Sequence, residues 1–234
     1  MPFLQNLRSG ARHLLFPRLC CGCQRPMLPE EQLVCMVCNC QLSRVKMHMA
    51  APTETAIRII GRFPMVRATS FSFFTAGSLI QHVLHQIKYH NRPDLASALG
   101  VVFGQELAKT GFLNAIDGLV PVPLHFRKAY QRGYNQSEQL ARGIGTATGV
   151  PVYPNLLTRT RITETQTAKT AAERIANVQG AFRVRNGTRH QGRHLLLVDD
   201  VLTTGATLEA CAQALLAAIP DVRISIATAA LAAS

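Results

Sequence analysis

The spacing of apolar positions becomes regular from about Phe71 onward. "GSLIQHVLHQIKYH" sets Leu79, Ile80, Val83, Leu84 and Ile87 at the intervals of one helical face. "RPDLASALGVVFGQELAKTG" predicts a second helix, with Pro93 in its first turn and Gly111 beyond its end. "IDGLVPVPL" is a short apolar strand ending in prolines, "YNQSEQLARGIGTATG" is a helix, and "LLLVDD" is a strand. "GATLEACAQALLAAI" follows as helix and "DVRISIATAALA" closes as strand. Strands alternating with helices predict an α/β domain, a parallel sheet with flanking helices.

Upstream the pattern is less regular. "LQNLRSGARHLLF" has the spacing of a short amphipathic helix, and a cysteine-dense stretch follows it. "KMHMAAPTETAIRIIGRFPMVRA" mixes Pro, Gly and scattered apolar residues, as a connector or the first strands of a second unit would. The organisation expected is an N-terminal helix and cysteine unit over 1–48, a connector over 49–70 and the α/β domain over 71–234. At 234 residues and 47% hydrophobic, the chain can fill a core of that size. Charge, Pro or Gly interrupts every apolar run well before the ~20 residues of a membrane span, so no membrane insertion is expected. With no long apolar segment or cleavage signature at the N-terminus, the expected compartment is cytoplasmic.

Cysteine usage adds a metal site to this outline. Six of seven cysteines lie within residues 20–40, and a cytosolic chain with clustered thiols binds metal more often than it forms disulfides. Cys20-x2-Cys23 and Cys35-x2-Cys38 are two knuckle pairs 11 residues apart, the four-sulfur set that tetrahedral Zn²⁺ prefers. So short a segment builds no core of its own, and metal would contribute about 10–16 kcal/mol of apparent folding energy. Four protein thiolates leave no open position, so the zinc would be structural. Cys21 and Cys40 offer the competing pairs Cys21-x-Cys23 and Cys38-x-Cys40, whose spacing makes a poorer knuckle.

"LLLVDDVLTTGAT" carries the other candidate chemistry. Asp199 and Asp200 emerge where an open parallel sheet binds ligands, at the carboxyl end of a strand. Adjacent carboxylates repel, and ribose hydroxyls or a hydrated Mg²⁺ would offset them. Thr203, Thr204, Gly205, Ala206 and Thr207 follow, small residues whose N–H groups can close around an anion, with hydroxyl donors and a helix N-terminus behind them. Together they spell out a ribose 5-phosphate site.

Hydrophobic strand, Asp-Asp, three residues, then Thr-Gly-x-Thr resembles the phosphoribosyl pyrophosphate (PRPP) loop of type I phosphoribosyltransferases. The resemblance implies that Asp199 and Asp200 contact the ribose hydroxyls and that the loop holds the 5′-phosphate. Taken with the cysteine knuckles after "LLFP", with "IKYHNRPDLASALG", "VPVPLHFRKAYQRGYNQSEQLA" and "TQTAKTAAERIANVQGAF", the whole chain is similar to the competence protein F family. That family pairs an N-terminal zinc ribbon with a type I phosphoribosyltransferase-like domain, and the likeness implies a role in competence, DNA uptake or use of imported DNA.

Net charge is +12, and between Pro121 and Leu195 stand 12 Lys/Arg against 3 Asp/Glu. Such a surplus attracts phosphates or nucleic acid without choosing between them. Arg127, Lys128 and Arg132 follow a strand end, where they would neutralise pyrophosphate. Phe126, Tyr130 and Tyr134 interleave the same cations, as a groove for single-stranded DNA would require. "RTRITETQTAKTAAERIANVQGAF" resembles the loop that closes over the reaction in this fold, from which Lys169 and Arg174 would reach pyrophosphate. "GIGTATG", from Gly143, ends a helix and is no dinucleotide motif. His82, His85 and His90 read as surface, and Cys211 as a core thiol.

Two readings stay open. In one, a Mg²⁺-dependent phosphoribosyltransferase, a pentosyl glycosyltransferase, uses Asp199 and Asp200 as its catalytic acids. In the other, a non-catalytic module binds single-stranded DNA, an uptake helicase or another competence protein, and its PRPP pocket is sensory or vestigial.

Overall fold

The computed structural model describes residues 17–47, 51–124, 130–160 and 181–233. The N-terminal amphipathic segment, Phe126, Arg127, Lys128, Lys169 and Arg174 lie outside the described residues.

In chain order the elements are α1 (Met36–Cys40), α2 (Glu54–Ile59), β1 (Ala68–Phe74), α3 (Leu79–Tyr89), α4 (Pro93–Lys109), β2 (Gly118–Pro121), α5 (Gln136–Thr148), β3 (Leu157–Arg159), β4 (Phe182–Val184), β5 (His194–Leu202), α6 (Ala206–Ala218) and β6 (Arg223–Ala232). Four strands form one sheet in the order β1-β6-β5-β2. Every pairing in it is parallel. β3 and β4 make a separate antiparallel pair. The α/β class expected from alternating periodicities is therefore the architecture found.

Both faces of the sheet are covered, as a parallel sheet requires. Leu196 and Val198 of β5 join Leu99, Phe103, Leu140 and Ile144 of α4 and α5 in one buried cluster. Leu195 and Leu197 join Leu208, Cys211 and Leu215 of α6 and Ile59 of α2 in the other. This explains why the strand is apolar at successive positions rather than alternating. The "GIGTATG" glycines have a packing role: a Cβ on Gly143 would stand 2.1 Å from the Ser97 carbonyl, and one on Gly100 would stand 2.2 Å from that of Leu140. Only glycine lets α4 and α5 approach this closely.

β1 is a strand rich in hydroxyls, and the Ser70 and Ser72 hydroxyls are bonded. Thr55 of α2 donates to Ser70 Oγ at 2.8 Å, and Ser70 shares a hydrogen bond of 2.6 Å with Thr228 of β6. This buried chain fastens α2, inside the expected connector, to the sheet. Thr53 caps α2 by accepting from the Ala56 N–H.

The ribbon packs against the same body. Cys20, Cys21, Met27, Leu33 and Val34 share a buried cluster with Ile80, Val83 and Leu84 of α3. Gly22 lies so close to the start of α3 that a Cβ on it would meet Leu79 Cδ1 at 2.7 Å. Arg44 bonds Asn39 at 2.7 Å and Glu106 of α4 at 3.0 Å, with its guanidinium 3.6 Å from the Phe71 ring centroid. No described helix is long and apolar enough to cross a membrane.

Candidate functional site

The cleft at the carboxyl end of β5 is built from four directions. β5 delivers Asp199 and Asp200, α5 delivers Gln136 and Ser137, α3 delivers Lys88, and the turn into α6 delivers Thr203 and Thr207. Arg132 and Arg159 line the same cavity, whose volume is about 450 Å³.

Each carboxylate has one oxygen occupied twice. Asp199 Oδ1 accepts from Ser137 Oγ at 2.8 Å and from the Asp200 N–H at 2.9 Å. Asp200 Oδ2 accepts from Gln136 Nε2 at 3.0 Å and pairs with Lys88 Nζ at 2.9 Å. Among the described residues nothing bonds Asp199 Oδ2 or Asp200 Oδ1. Burial, reinforced by the neighbouring Asp200 charge, pushes the Asp199 carboxyl up to about 7. The sequence reading left the repulsion of the acid pair for a ligand to offset. The fold offsets much of it internally, through Lys88, Gln136 and Ser137.

The loop after the acids has a conformation that its residues dictate. Gly205 has φ +83, a left-handed backbone that favours glycine, and a Cβ there would meet Ile59 Cγ2 at 2.7 Å. Arg58 of α2 donates to the Thr203 carbonyl at 3.4 Å, and Arg62 pairs with Glu209 in the first turn of α6 at 3.1 Å. α2 therefore braces the loop from behind. Thr203, Thr204, Ala206 and Thr207 are exposed, and Gly205 is buried. Thr204 Oγ1 accepts from the Ala206 N–H at 3.5 Å. This leaves Thr203 and Thr207 as the loop's hydroxyls on the cavity wall.

Of the cations expected here, Arg132 lines the cleft. Arg159 joins it from β3. The aromatic ladder needs correction at one rung: the Tyr134 hydroxyl donates to the Ile87 carbonyl and its ring packs on the core, so it offers no face to a base. Tyr130 is 92% exposed. Tyr89 stands beneath the Arg132 guanidinium, 5.7 Å from it, and 4.7 Å from the His85 ring. His82, His85 and His90 are exposed, as expected of surface residues.

In the ribbon, Cys20, Cys23, Cys35 and Cys38 bring their sulfurs within 4.8 Å of one another. Cys23 and Cys35 Sγ are 3.6 Å apart, close to the ~3.7 Å edge of a tetrahedron with 2.3 Å zinc–sulfur bonds. Gly22 and Cys35 N–H groups point at Cys20 Sγ from 3.4 and 3.2 Å, donors suited to a thiolate. Arg25, 3.4 Å from Cys23 Sγ, draws that thiol down to about 6. Desolvation pushes Cys38 up to about 12. Cys21 and Cys40 stand outside the converging set, the first buried and the second exposed. The donor set fits a metal ion such as zinc.

A family model for the phosphoribosyl transferase domain matches residues 98–234. The chain belongs to that family. Its phosphoribosyl transferase domain spans the acid pair, the loop and α5, while Lys88 and the ribbon precede the matched residues. Relatives extend the match over nearly the whole chain. The DNA utilization protein YhgH of Salmonella typhimurium is 33% identical over 87% of this chain and 92% of its own. Competence protein F of Haemophilus influenzae is 28% identical over 85% and 84%, respectively. Competence protein ComFC of Bacillus subtilis is 26% identical over 92% and 85%. The resemblance read from the sequence, to competence protein F with a phosphoribosyl transferase domain behind a four-cysteine ribbon, is borne out.

Proposed function

We propose that this phosphoribosyl transferase domain binds PRPP with Mg²⁺ and serves DNA uptake or utilisation through that ligand. One observation carries the reading: both acids line the cleft, and among the described residues each keeps a single unbonded oxygen. A vicinal diol presents two O–H donors, and Asp199 Oδ2 and Asp200 Oδ1 would supply two acceptors for them. The Thr203–Thr207 turn would take the 5′-phosphate with its N–H groups, its hydroxyls and the positive end of α6. Arg132 and Arg159 would face the pyrophosphate, and Arg127, Lys128, Lys169 and Arg174 belong to the proposal from sequence alone.

The donor set fits Mg²⁺, a hard cation that takes carboxylate oxygens and keeps several waters. Bound with the ligand, it would neutralise phosphate charge. In the catalytic form of the proposal, pyrophosphate leaves C1 with the bonding pair as a base nitrogen bonds to C1. Asp199 and Asp200 hold the sugar, and the arginines hold the departing group. In the ribbon, Cys20, Cys23, Cys35 and Cys38 would hold a structural Zn²⁺.

A specific observation favours the non-catalytic reading as well. Besides the acid pair, the described cleft residues include no histidine or carboxylate to serve an acceptor base as proton acceptor, while exposed Tyr89 and Tyr130, with half-buried Arg132, suit stacking of single-stranded DNA beside the cleft. Calorimetry with PRPP and MgCl₂ tests the main reading: saturable heat is expected, and Asp200→Asn should abolish it. Absence of heat with the intact protein overturns PRPP binding. Pyrophosphate release on adding candidate bases separates an enzyme from a module that only binds. Salt-sensitive binding of labelled oligo-dT tests the DNA arm.

A further inference from the structure

We infer that Lys88 makes the cleft refuse a bare divalent cation and admit one only as the counter-ion of a polyphosphate. The identity of that polyphosphate rests on the PRPP reading; the exclusion of the free ion does not.

The argument begins with position. Lys88 sits in the last turn of α3, beside buried Ile87 and four residues after buried Leu84. From that last turn its ammonium reaches to 2.9 Å from Asp200 Oδ2. Gln136 fills the remaining lone pair of the same oxygen. A hydrated Mg²⁺ or Mn²⁺ seeking carboxylate oxygens thus finds this acid already holding a cation.

The charges around the cavity point the same way. Among the described residues lining it, Lys88, Arg132 and Arg159 stand with Asp199 and Asp200, three cations to two acids even with both acids ionised. A divalent ion entering alone meets net positive charge and an ammonium within a few ångströms of its ligand. A polyphosphate reverses the balance. Its charge attracts the arginines and draws the flexible Lys88 stem from carboxylate to phosphate, freeing Asp200 Oδ2 as the metal arrives on its own ligand. Lys88 is therefore a specificity-determining residue that changes partner on binding.

Mn²⁺ titrations of the full-length protein with its ribbon metal in place, read by the paramagnetic resonance of the free ion, test this. Wild type should take up Mn²⁺ stoichiometrically only when sodium pyrophosphate is present, beyond the uptake by the same pyrophosphate without protein. Lys88→Gln should bind Mn²⁺ alone about tenfold to a hundredfold more tightly than wild type, the scale expected from removing one nearby charge. The gain should vanish in Lys88→Gln/Asp200→Asn, and Lys88→Arg should behave as wild type. Wild type binding Mn²⁺ alone as tightly as a folded Lys88→Gln overturns the inference. Should Lys88→Gln fail to fold, wild type and Asp200→Asn decide it: stoichiometric Mn²⁺ binding by wild type alone, lost in Asp200→Asn, is equally fatal. If pyrophosphate and PRPP both fail to bind wild type, the ligand reading falls and the Mn²⁺-only arms still judge Lys88.

Discussion

Four thiols converge in the ribbon and two carboxylates adjoin in the cleft, and the carboxylates come with more internal partners among the described residues. Asp199 and Asp200 are met by Ser137, Gln136 and Lys88. Among the described residues, one guanidinium, that of Arg25, bonds a sulfur of the four. On the proposed reading the ribbon takes its compensating cation from outside, whereas the cleft offsets its acids with its own residues, so a permanent and an exchangeable site would differ in where the compensating charge originates.

The largest test of this contrast is metal removal. Chelation, or Cys35→Ser, should take away stabilisation on the order of 10 kcal/mol from the ribbon. Hydrogen exchange should then show protection lost over residues 17–47 and kept in β5 and β6. Equal loss in both regions would refute the contrast.

Next comes Lys88→Met, which gives the cleft the ribbon's problem. The pair is only partly buried, with side chains 22% and 13% exposed, so breaking it should cost about 1–3 kcal/mol in denaturant unfolding. Added MgCl₂ should recover part of that loss in the variant and do little for wild type.

Asp199→Asn should act in the opposite direction. Because the folded carboxyl titrates near 7, above its unfolded value, protonated Asp199 contributes stability that is complete below about pH 4 and is lost as pH rises toward 7. Asparagine removes the charge, so the variant should be more stable than wild type by about 1–2 kcal/mol at pH 8, with the gain fading toward pH 4. PRPP binding should disappear. A variant less stable at pH 8 would show that the acid is not held at a cost.

Smallest is Arg62→Ala. Its pair with Glu209 is well exposed and should be worth no more than about 0.5 kcal/mol, readable as a slight drop in melting temperature.

Much of this was legible in the chain. The apolar run 195–198 and the acids after it announced a central strand with an acid-lined cleft at its end. The x2 cysteine spacing identified the converging four thiols. β1 was harder, because Ser70 and Ser72 look like surface until their partners on α2, β6 and the ribbon are known. Lys88 was hidden for a different reason. A lysine in the last turn of an amphipathic helix already has an explanation in the helix dipole, and its partner lies 112 residues later in the chain. Its one local signal was its place at the border of the apolar face, directly after Ile87. Ser137 and Gln136 at the start of α5 were likewise readable as helix-capping polar residues, with nothing in their spacing to tie them to β5.

α3 deserves a last look as a mechanical part. Its first residue, Leu79, lies against Gly22 in the first cysteine knuckle, and its last turn carries the ammonium that holds Asp200. Nine residues of helix separate those points, a strut about 14 Å long. One helix thus spans from the first cysteine knuckle to a cleft that none of the ribbon's described residues lines.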